Sequence, residues 1–341
     1  NGLMNFDVAI GNPPYHKTVK DTSDIPVYHE FIDLSSILSQ KISLVTPARY
    51  LFNAGKTPKA WNKKVLNDEH IKVLLYNSNS SAIFPNVDIK GGIAVLYRDQ
   101  KKVFGKIGHF SAFPQLNSIY TKTRGAEQFR SITEIFYPQT KFILDNLYSK
   151  MPHLREKIGS SGLERRLTSS IFNLSEIFSK QQQNPTQIQI LGLQNGNREY
   201  RWIDKIFVEQ GDNLDKYKVI IPKSNGTGAL GEILSTPIVG GPLIGVTQTF
   251  IMFGAFDTSD EAEACLKYIK SKFVRTLLGI LKVTQDNPRS TWRFVPLQNF
   301  TKESDIDWTK SVKEIDQQLY TKYNLSQEEI EFIERMIKPM E

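Results

Sequence analysis

The sequence predicts an α/β chain: part of a doubly wound sheet up to about residue 113, then an α+β region running to residue 341. Three observations lead there. Strand-like apolar runs alternate with helix-period stripes through the first hundred residues, the signature of a sheet with crossover helices. The alternation ends near Phe113, where longer polar stretches begin. The first strand, around Val8-Ala9-Ile10, is apolar throughout, as expected of a strand covered on both faces, and it opens directly into Asn12-Pro13-Pro14-Tyr15.

Each element follows from local chemistry. Two consecutive prolines fix two φ angles and push the residue before each into extended geometry. Asn12 is therefore held by covalent constraint at the carboxyl end of a strand, where open α/β sheets bind their ligands. Val27, Phe31, Leu34 and Leu38 fall at helical spacing and predict a helix whose apolar stripe packs between this turn and a strand at 42–45. Trp61, Val65 and Leu66 predict a short helix, residues 71–76 and 92–97 predict strands, and residues 106–110 a weaker one. These elements make half of a doubly wound sheet.

In the second region, residues 142–147 read as helical and 181–186 as a polar connection, with strands at 188–190, 218–221 and 249–253. Thr258 and Glu261 have capping-box spacing, and Cys265, Ile269, Phe273 and Leu277 mark the buried face of the helix that follows. Ser326 and Glu329 repeat the capping signature before Ile330, Ile333 and Ile337.

The chemistry that suits the Asn-Pro-Pro-Tyr turn is methylation of a planar amino group. The nitrogen lone pair of such a group is delocalised, so it is a poor nucleophile towards a sulfonium methyl. Two acceptors aimed at its two hydrogens, the Asn12 side-chain carbonyl and the Pro13 backbone carbonyl, favour a pyramidal nitrogen and stabilise the developing positive charge. Tyr15 can lie against one face of the substrate.

Asp7-Val8-Ala9-Ile10-Gly11-Asn12-Pro13-Pro14-Tyr15 resembles the catalytic motif of the S-adenosylmethionine-dependent amino-methyltransferases, above all the adenine-specific DNA methyltransferases of restriction-modification systems, type II and IIG-like. Ile42-Ser43-Leu44-Val45-Thr46-Pro47-Ala48-Arg49-Tyr50-Leu51 is similar to the next strand and cofactor-side turn of that family. Ala82-Ile83-Phe84-Pro85-Asn86-Val87, followed by 91–97, resembles the segment whose aromatic residue covers the other face of the flipped base. The resemblance covers about the first hundred residues and, more loosely, the rest.

The resemblance implies the C-terminal half of a Rossmann-like methyltransferase sheet in residues 1–113 and a target-recognition domain with C-terminal helices in 114–341. It implies methyl transfer from S-adenosylmethionine to the exocyclic amino group of a flipped adenine in a specific sequence of double-stranded DNA. Asn12, Pro13, Pro14, Tyr15 and Phe84 would be catalytic, with Asn12 and Pro47 beside the cofactor. In the family, the glycine-rich cofactor signature ordinarily precedes the catalytic motif. Only eleven residues precede Asn12 here, so the chain reads as the C-terminal portion of a longer enzyme, with the N-terminal remainder or a cognate restriction endonuclease as a partner. RNA or protein-glutamine N-methylation is the alternative activity, and a non-catalytic DNA-specificity fragment the alternative outside enzymes.

Gly226-Thr227-Gly228-Ala229-Leu230-Gly231 matches Gly-x-Gly-x-x-Gly, but Pro237, Gly240, Gly241 and Pro242 follow where a nucleotide site needs a helix. A recognition loop is the preferred reading. Candidate DNA contacts are Lys122 and Arg124, Arg165 and Arg166 before a Thr-Ser-Ser run, Asn197, Arg198, Arg201 and Trp202 near Gly196, and Arg289 and Arg293 in a polar loop. The net charge of +7 supports a polyanionic partner without requiring one. One cysteine excludes an internal disulfide, and the five histidines show no metal-ligand spacing. No apolar stretch is long enough to span a bilayer, so no membrane partner is expected and the cytoplasm is the expected compartment.

Overall fold

The computed structural model describes residues 6–17, 25–85, 89, 91–126, 128–158, 166–226, 229–282 and 285–340. They divide into two compact units, Asn1–Asn117 and Ser118–Glu341. The architecture is mixed α/β with several sheets.

The first unit runs β1 (Phe6–Gly11), a short antiparallel pair β2 (His16–Lys17) and β3 (Ile25–Pro26), α1 (Tyr28–Leu38), β4 (Ser39–Pro47), α2 (Lys59–Asn67), β5 (Ile71–Asn77) and β6 (Ile93–Asp99). Its main sheet has the order β1-β4-β6-β5. β1 pairs parallel with β4, from Phe6 opposite Ser39 to Gly11 opposite Leu44. β6 runs antiparallel to both β4 and β5, so β1, β4 and β5 end at the same edge. Ile42, Leu44, Ala94 and Leu96 point to one face and are buried with Tyr28, Ile32, Trp61 and Val65. Removal of such side chains from water stabilises the unit by about 1.5–3 kcal/mol each.

Three expectations are corrected here. Among the described residues β1 is not covered on both sides: it stands at one edge of its sheet, and Phe6, Val8 and Ile10 are 49%, 46% and 80% exposed. Only its Ala9 side packs on the core. An apolar strand sequence reports the capacity for burial and not the strand's place in the sheet. The face of α1 that is buried carries Tyr28 and Ile32, whereas Phe31 and Leu34 of the expected stripe are exposed together with Ile37. Residues 106–110 form no strand; Phe110 instead packs edge-on against Phe52 and Tyr76.

Helix α3 (Pro114–Gly125) spans the boundary between the units. The second unit continues with β7 (Phe136–Tyr137), α4 (Leu144–Lys150), α5 (Leu154–Ile158), β8 (Gln187–Gln194), β9 (Asn197–Asp204), β10 (Tyr217–Pro222), β11 (Ile238–Gly240), β12 (Ile244–Val246) and β13 (Phe250–Phe256). The helices α6 (Ser259–Lys270), α7 (Lys272–Leu281), α8 (Val312–Lys322) and α9 (Gln327–Met336) follow. One sheet has the order β11-β10-β13-β7 and another β12-β8-β9. The β8-β9 hairpin turns at Asn195 and Gly196, both at positive φ, as a tight two-residue turn demands.

The expected capping boxes at Thr258 and Ser326 are both formed, and a third stands at Ser311 with Glu314. Cys265, Ile269, Phe273 and Leu277 are all buried, but they belong to two helices. Ser271 breaks the run and its hydroxyl accepts from the Val274 N–H to start α7.

Candidate functional site

The parallel run of β1, β4 and β5 brings their carboxyl ends to one edge of the sheet. Asn12 follows Gly11 at the end of β1, Pro47 closes β4 opposite Ile93, and Asn77 closes β5 opposite the same residue. Phe84 lies on the connection from β5 to β6 and so leaves from that edge too. Sheet topology therefore puts Asn12 and Pro47 at one edge of the sheet and Phe84 on a connection that leaves from it.

Within this group, Asn12 is exposed, Pro13 half-buried and Pro14 exposed. The main chain is anchored just beyond them, where the Tyr15 carbonyl accepts from the Val27 N–H at 3.1 Å. That bond fixes the exit of the turn to the start of α1. The Tyr15 ring packs against the first unit's core, and its hydroxyl is sealed from water without a well-formed hydrogen bond. Burial raises the phenol's pKa, and the neighbouring Asn12 side chain partly offsets this. Tyr15 stays a neutral phenol at physiological pH, and the Asn12 amide remains on the surface beside it.

Pro47 is buried, and the next residue ties two ends of the edge together: Ala48 N–H donates to the Gly92 carbonyl at 2.9 Å. Tyr50, fully buried, faces Thr46 hydroxyl to hydroxyl at 3.5 Å. Phe84 is half-buried, with its N–H bonded to the Ser80 carbonyl at 2.8 Å. Asn86 and Val87, part of the segment matched to the base-covering aromatic, lie outside the described residues.

Of the two residues expected beside the cofactor, Asn12 is exposed and Pro47 buried. The described part of the later glycine run does not suit a cofactor. β10 ends at Pro222 and among the described residues no helix begins before Ser259, and a Cβ at Gly226 would lie 2.1 Å from the Glu232 carboxylate. That carboxylate fills the space through which a ligand would approach the backbone. Thr227 and Gly228 lie outside the described residues. No group of His, Cys, Asp or Glu suited to a metal ion occurs among the described residues, and no helix there is long and apolar enough to cross a membrane.

The candidate DNA contacts belong to the second unit and are separated within it. Lys122 is committed internally: its ammonium donates to the Asn324 carbonyl and to buried Glu329, both at 2.8 Å. Burial pushes the Glu329 carboxyl up, but bonds from Lys122, Ser118 and Ser326 outweigh it and hold the pKa below the ordinary value. Lys122→Ala should therefore destabilise the fold by about 2 kcal/mol, since it strands a buried carboxylate. Denaturant unfolding measures this, and Glu329→Gln in the same chain should recover most of the loss.

Arg124 lies over the Phe129 ring. Arg198 donates to the Thr236 carbonyl and covers Phe250, and Arg201 bonds Gln194 and Glu199. Trp202 is half-buried, bridging to Ser179 through its backbone. Arg166, Asn197, Arg289 and Arg293 are exposed. Arg165 lies outside the described residues. Sequence reasoning missed that Asn195-Gly196 is a hairpin turn and that Arg198 and Arg201 project from a strand; alternation of Asn197 to Asp204 about the Asn-Gly pair was the available signal.

Comparison with known proteins adds family context. Residues 1–84, which include the Asn12 turn and reach Phe84, match the family described as Eco57I restriction-modification methylase. A protein of Mycoplasma pneumoniae named "Uncharacterized adenine-specific methylase" is 31% identical over 97 residues, 27% of this chain and 23% of that protein. The chain thus spans less than a quarter of that relative's length. Among solved structures, the type IIG restriction endonuclease BpuSI aligns over 98% of this chain and 53% of its own, at 12% identity and a TM-score of 0.36. The type IIL restriction-modification enzyme MmeI, solved in complex with DNA, aligns over 97% and 56%, at 8% identity and a TM-score of 0.32. The resemblance drawn from the Asn-Pro-Pro-Tyr segment is borne out over residues 1–84.

Proposed function

We propose that this chain, whose first 84 residues match restriction-modification methylases, supplies the base-capturing edge of an adenine-specific DNA methyltransferase. The observation that carries the reading is the exposed Asn12 amide, held by two prolines and an anchored Tyr15 at the carboxyl end of a parallel strand. The target adenine leaves the duplex at a cost of a few kcal/mol. Tyr15 and Phe84 recover part of this by stacking, about 1–3 kcal/mol per base. The Asn12 and Pro13 carbonyls accept the two N6 hydrogens and draw the nitrogen lone pair out of conjugation. Bound S-adenosylmethionine would supply the electrophilic methyl group. The N6 proton lost after transfer leaves along one of the same two hydrogen bonds and passes to solvent water.

The order β1-β4-β6-β5, with β6 alone reversed, fits one half of a doubly wound sheet. β1 offers an open edge, and the sheet face bearing Phe6, Val8, Ile10 and Leu75 is uncovered among the described residues. That surface suits a further parallel strand and its helices, which would carry the main cofactor site. The second unit supplies the duplex contacts.

The test is transfer of tritiated methyl from S-adenosylmethionine, by the intact enzyme containing this chain, to duplex DNA, RNA and a glutamine-bearing protein in parallel. Label on N6 of adenine in duplex DNA is expected. Label only on RNA or protein sinks the DNA reading. Phe84→Ala should raise KM for DNA about tenfold by loss of stacking, with a smaller change in kcat, as steady-state assays would report.

A further inference from the structure

Two loops of the second unit, some sixty residues apart in sequence, are joined into one element. Ser224 and Asp286 form an antiparallel bridge. On either side of it the Asn225 N–H donates to the Gln285 carbonyl at 2.9 Å and the Asn287 N–H to the Lys223 carbonyl at 2.8 Å. The Ser224 hydroxyl bonds the Asp286 carboxylate at 2.6 Å. The result is a short two-stranded ribbon.

Its underside is polar and buried. Asn287 donates through its amide to the Asn225 side-chain oxygen at 2.6 Å, and Asn225 donates to the Ile233 carbonyl at 3.1 Å. The Lys282 ammonium, nearly inaccessible, donates to the Asn225 carbonyl at 2.9 Å and lies 3.6 Å from Glu232. Asn287 is fully buried, and its amide oxygen has no partner among the described residues. An unsatisfied buried amide oxygen sacrifices about 1–3 kcal/mol of stability. Apolar side chains beneath the ribbon would have been more stable; what the polar network supplies is one fixed geometry.

Ser224 and Asp286, cross-strand partners, share the face opposite the network; Lys223 and Gln285 are exposed at the ends of the ribbon, and Arg289, which opens the short 3-10 helix after it, is exposed too. Arg289 is steadied by a bond from its Nε to the Thr133 carbonyl at 3.1 Å. No aromatic or large aliphatic anchor of the kind that dominates protein–protein hot spots stands among them.

We infer that residues 223–225 and 285–287 form a single base-reading ribbon for the major groove of duplex DNA, with Asp286 and the adjoining Arg289 facing base edges and Asn225 and Asn287 as positioning residues. The major groove admits a two-stranded ribbon, and its edges fit these groups: a carboxylate accepts from cytosine N4, and a guanidinium donates to guanine O6 and N7. The inference rests on the DNA reading given under Proposed function and names the surface that selects the sequence.

Selection from a library of randomised DNA duplexes by the intact enzyme containing this chain, followed by sequencing of the bound fraction, tests it. Wild type should enrich a motif. Arg289→Ala, a change at an exposed position, should erase preference at one base pair of that motif and weaken its binding about tenfold. Asn287→Asp should blur the same positions while leaving the salt dependence of binding, which counts phosphate contacts, as in wild type. If Arg289→Ala and Asp286→Asn both enrich the wild-type motif at wild-type affinity, the ribbon is not the reader, although the DNA reading stands. If wild type enriches no duplex, both fall together.

Discussion

Replacing Asn12 with Ala should, under the proposed function, lower kcat for methyl transfer to duplex DNA by about a hundred- to a thousandfold, the usual loss when one prepositioned hydrogen-bond partner is removed from a developing charge. Affinity for the duplex should be unchanged. The argument is geometric and electronic. The adenine amino nitrogen becomes nucleophilic only when its hydrogens are drawn out of the ring plane, and two acceptors are needed to hold both. Pro13 supplies one through its backbone whatever the side chain at 12, so the loss on removing Asn12 isolates the other. Because Asn12 is exposed, the substitution leaves folding untouched, and surface changes of this kind stay within about 0.5 kcal/mol. Asn12→Asp keeps an acceptor oxygen and should retain more activity than Asn12→Ala. Single-turnover rates on a cognate duplex, beside equilibrium binding to it, separate the effects. Wild-type turnover by Asn12→Ala would remove the basis of the mechanism.

Gly92→Ala should unfold the catalytic edge without touching any catalytic group. Gly92 has φ +78°, and a Cβ there would lie 2.3 Å from the Asn77 carbonyl oxygen and 2.8 Å from the Ser78 Cα. Both are backbone atoms, so no rotamer change relieves the contact. The left-handed conformation alone costs an alanine roughly 1–2 kcal/mol, and overpacking adds about 1–3 kcal/mol. The Gly92 carbonyl also receives the Ala48 N–H, so a shift at 92 moves the turn after Pro47 as well. A Tm lower by on the order of 10 °C is expected for the first unit from that sum, with activity falling alongside it. Calorimetry of wild type and variant decides, and equal Tm values would mean that the loop between β5 and β6 accommodates a side chain at no cost.

How far the sequence foretold this depends on what each signal measures. β4, β5 and β6 were legible because their apolar runs have strand length and turn-forming flanks. The apolar run of β1 was equally clear, but strand order depends on pairings between distant segments, and no local pattern records that β1 stands at an edge. The α1 stripe at Phe31 and Leu34 misled for a related reason: a helix with apolar residues on two sides announces two surfaces without saying which one its own sheet takes. Thr258 and Ser326 were readable as caps because capping chemistry is confined to four residues, whereas the break at Ser271 sat inside an uninterrupted apolar periodicity. Lys122 looked like a phosphate contact since a lysine beside an arginine is locally identical whether or not Glu329, two hundred residues on, waits for it. The Asn12 turn was the most legible feature because its geometry is written in covalent bonds. The ribbon at Ser224 and Asp286 was least so, since its two halves acquire meaning only when paired.

The bare strand at Phe6–Gly11 has a practical consequence for handling the protein. Unpaired backbone groups flanked by large apolar side chains are a template on which another chain can add by β-augmentation, and natural proteins rarely leave such an edge unguarded. Produced alone, the polypeptide should self-associate through this strand and collect in inclusion bodies. Charged substitutions at Val8 and Ile10, which point away from the core, would act as gatekeepers and keep it dispersed.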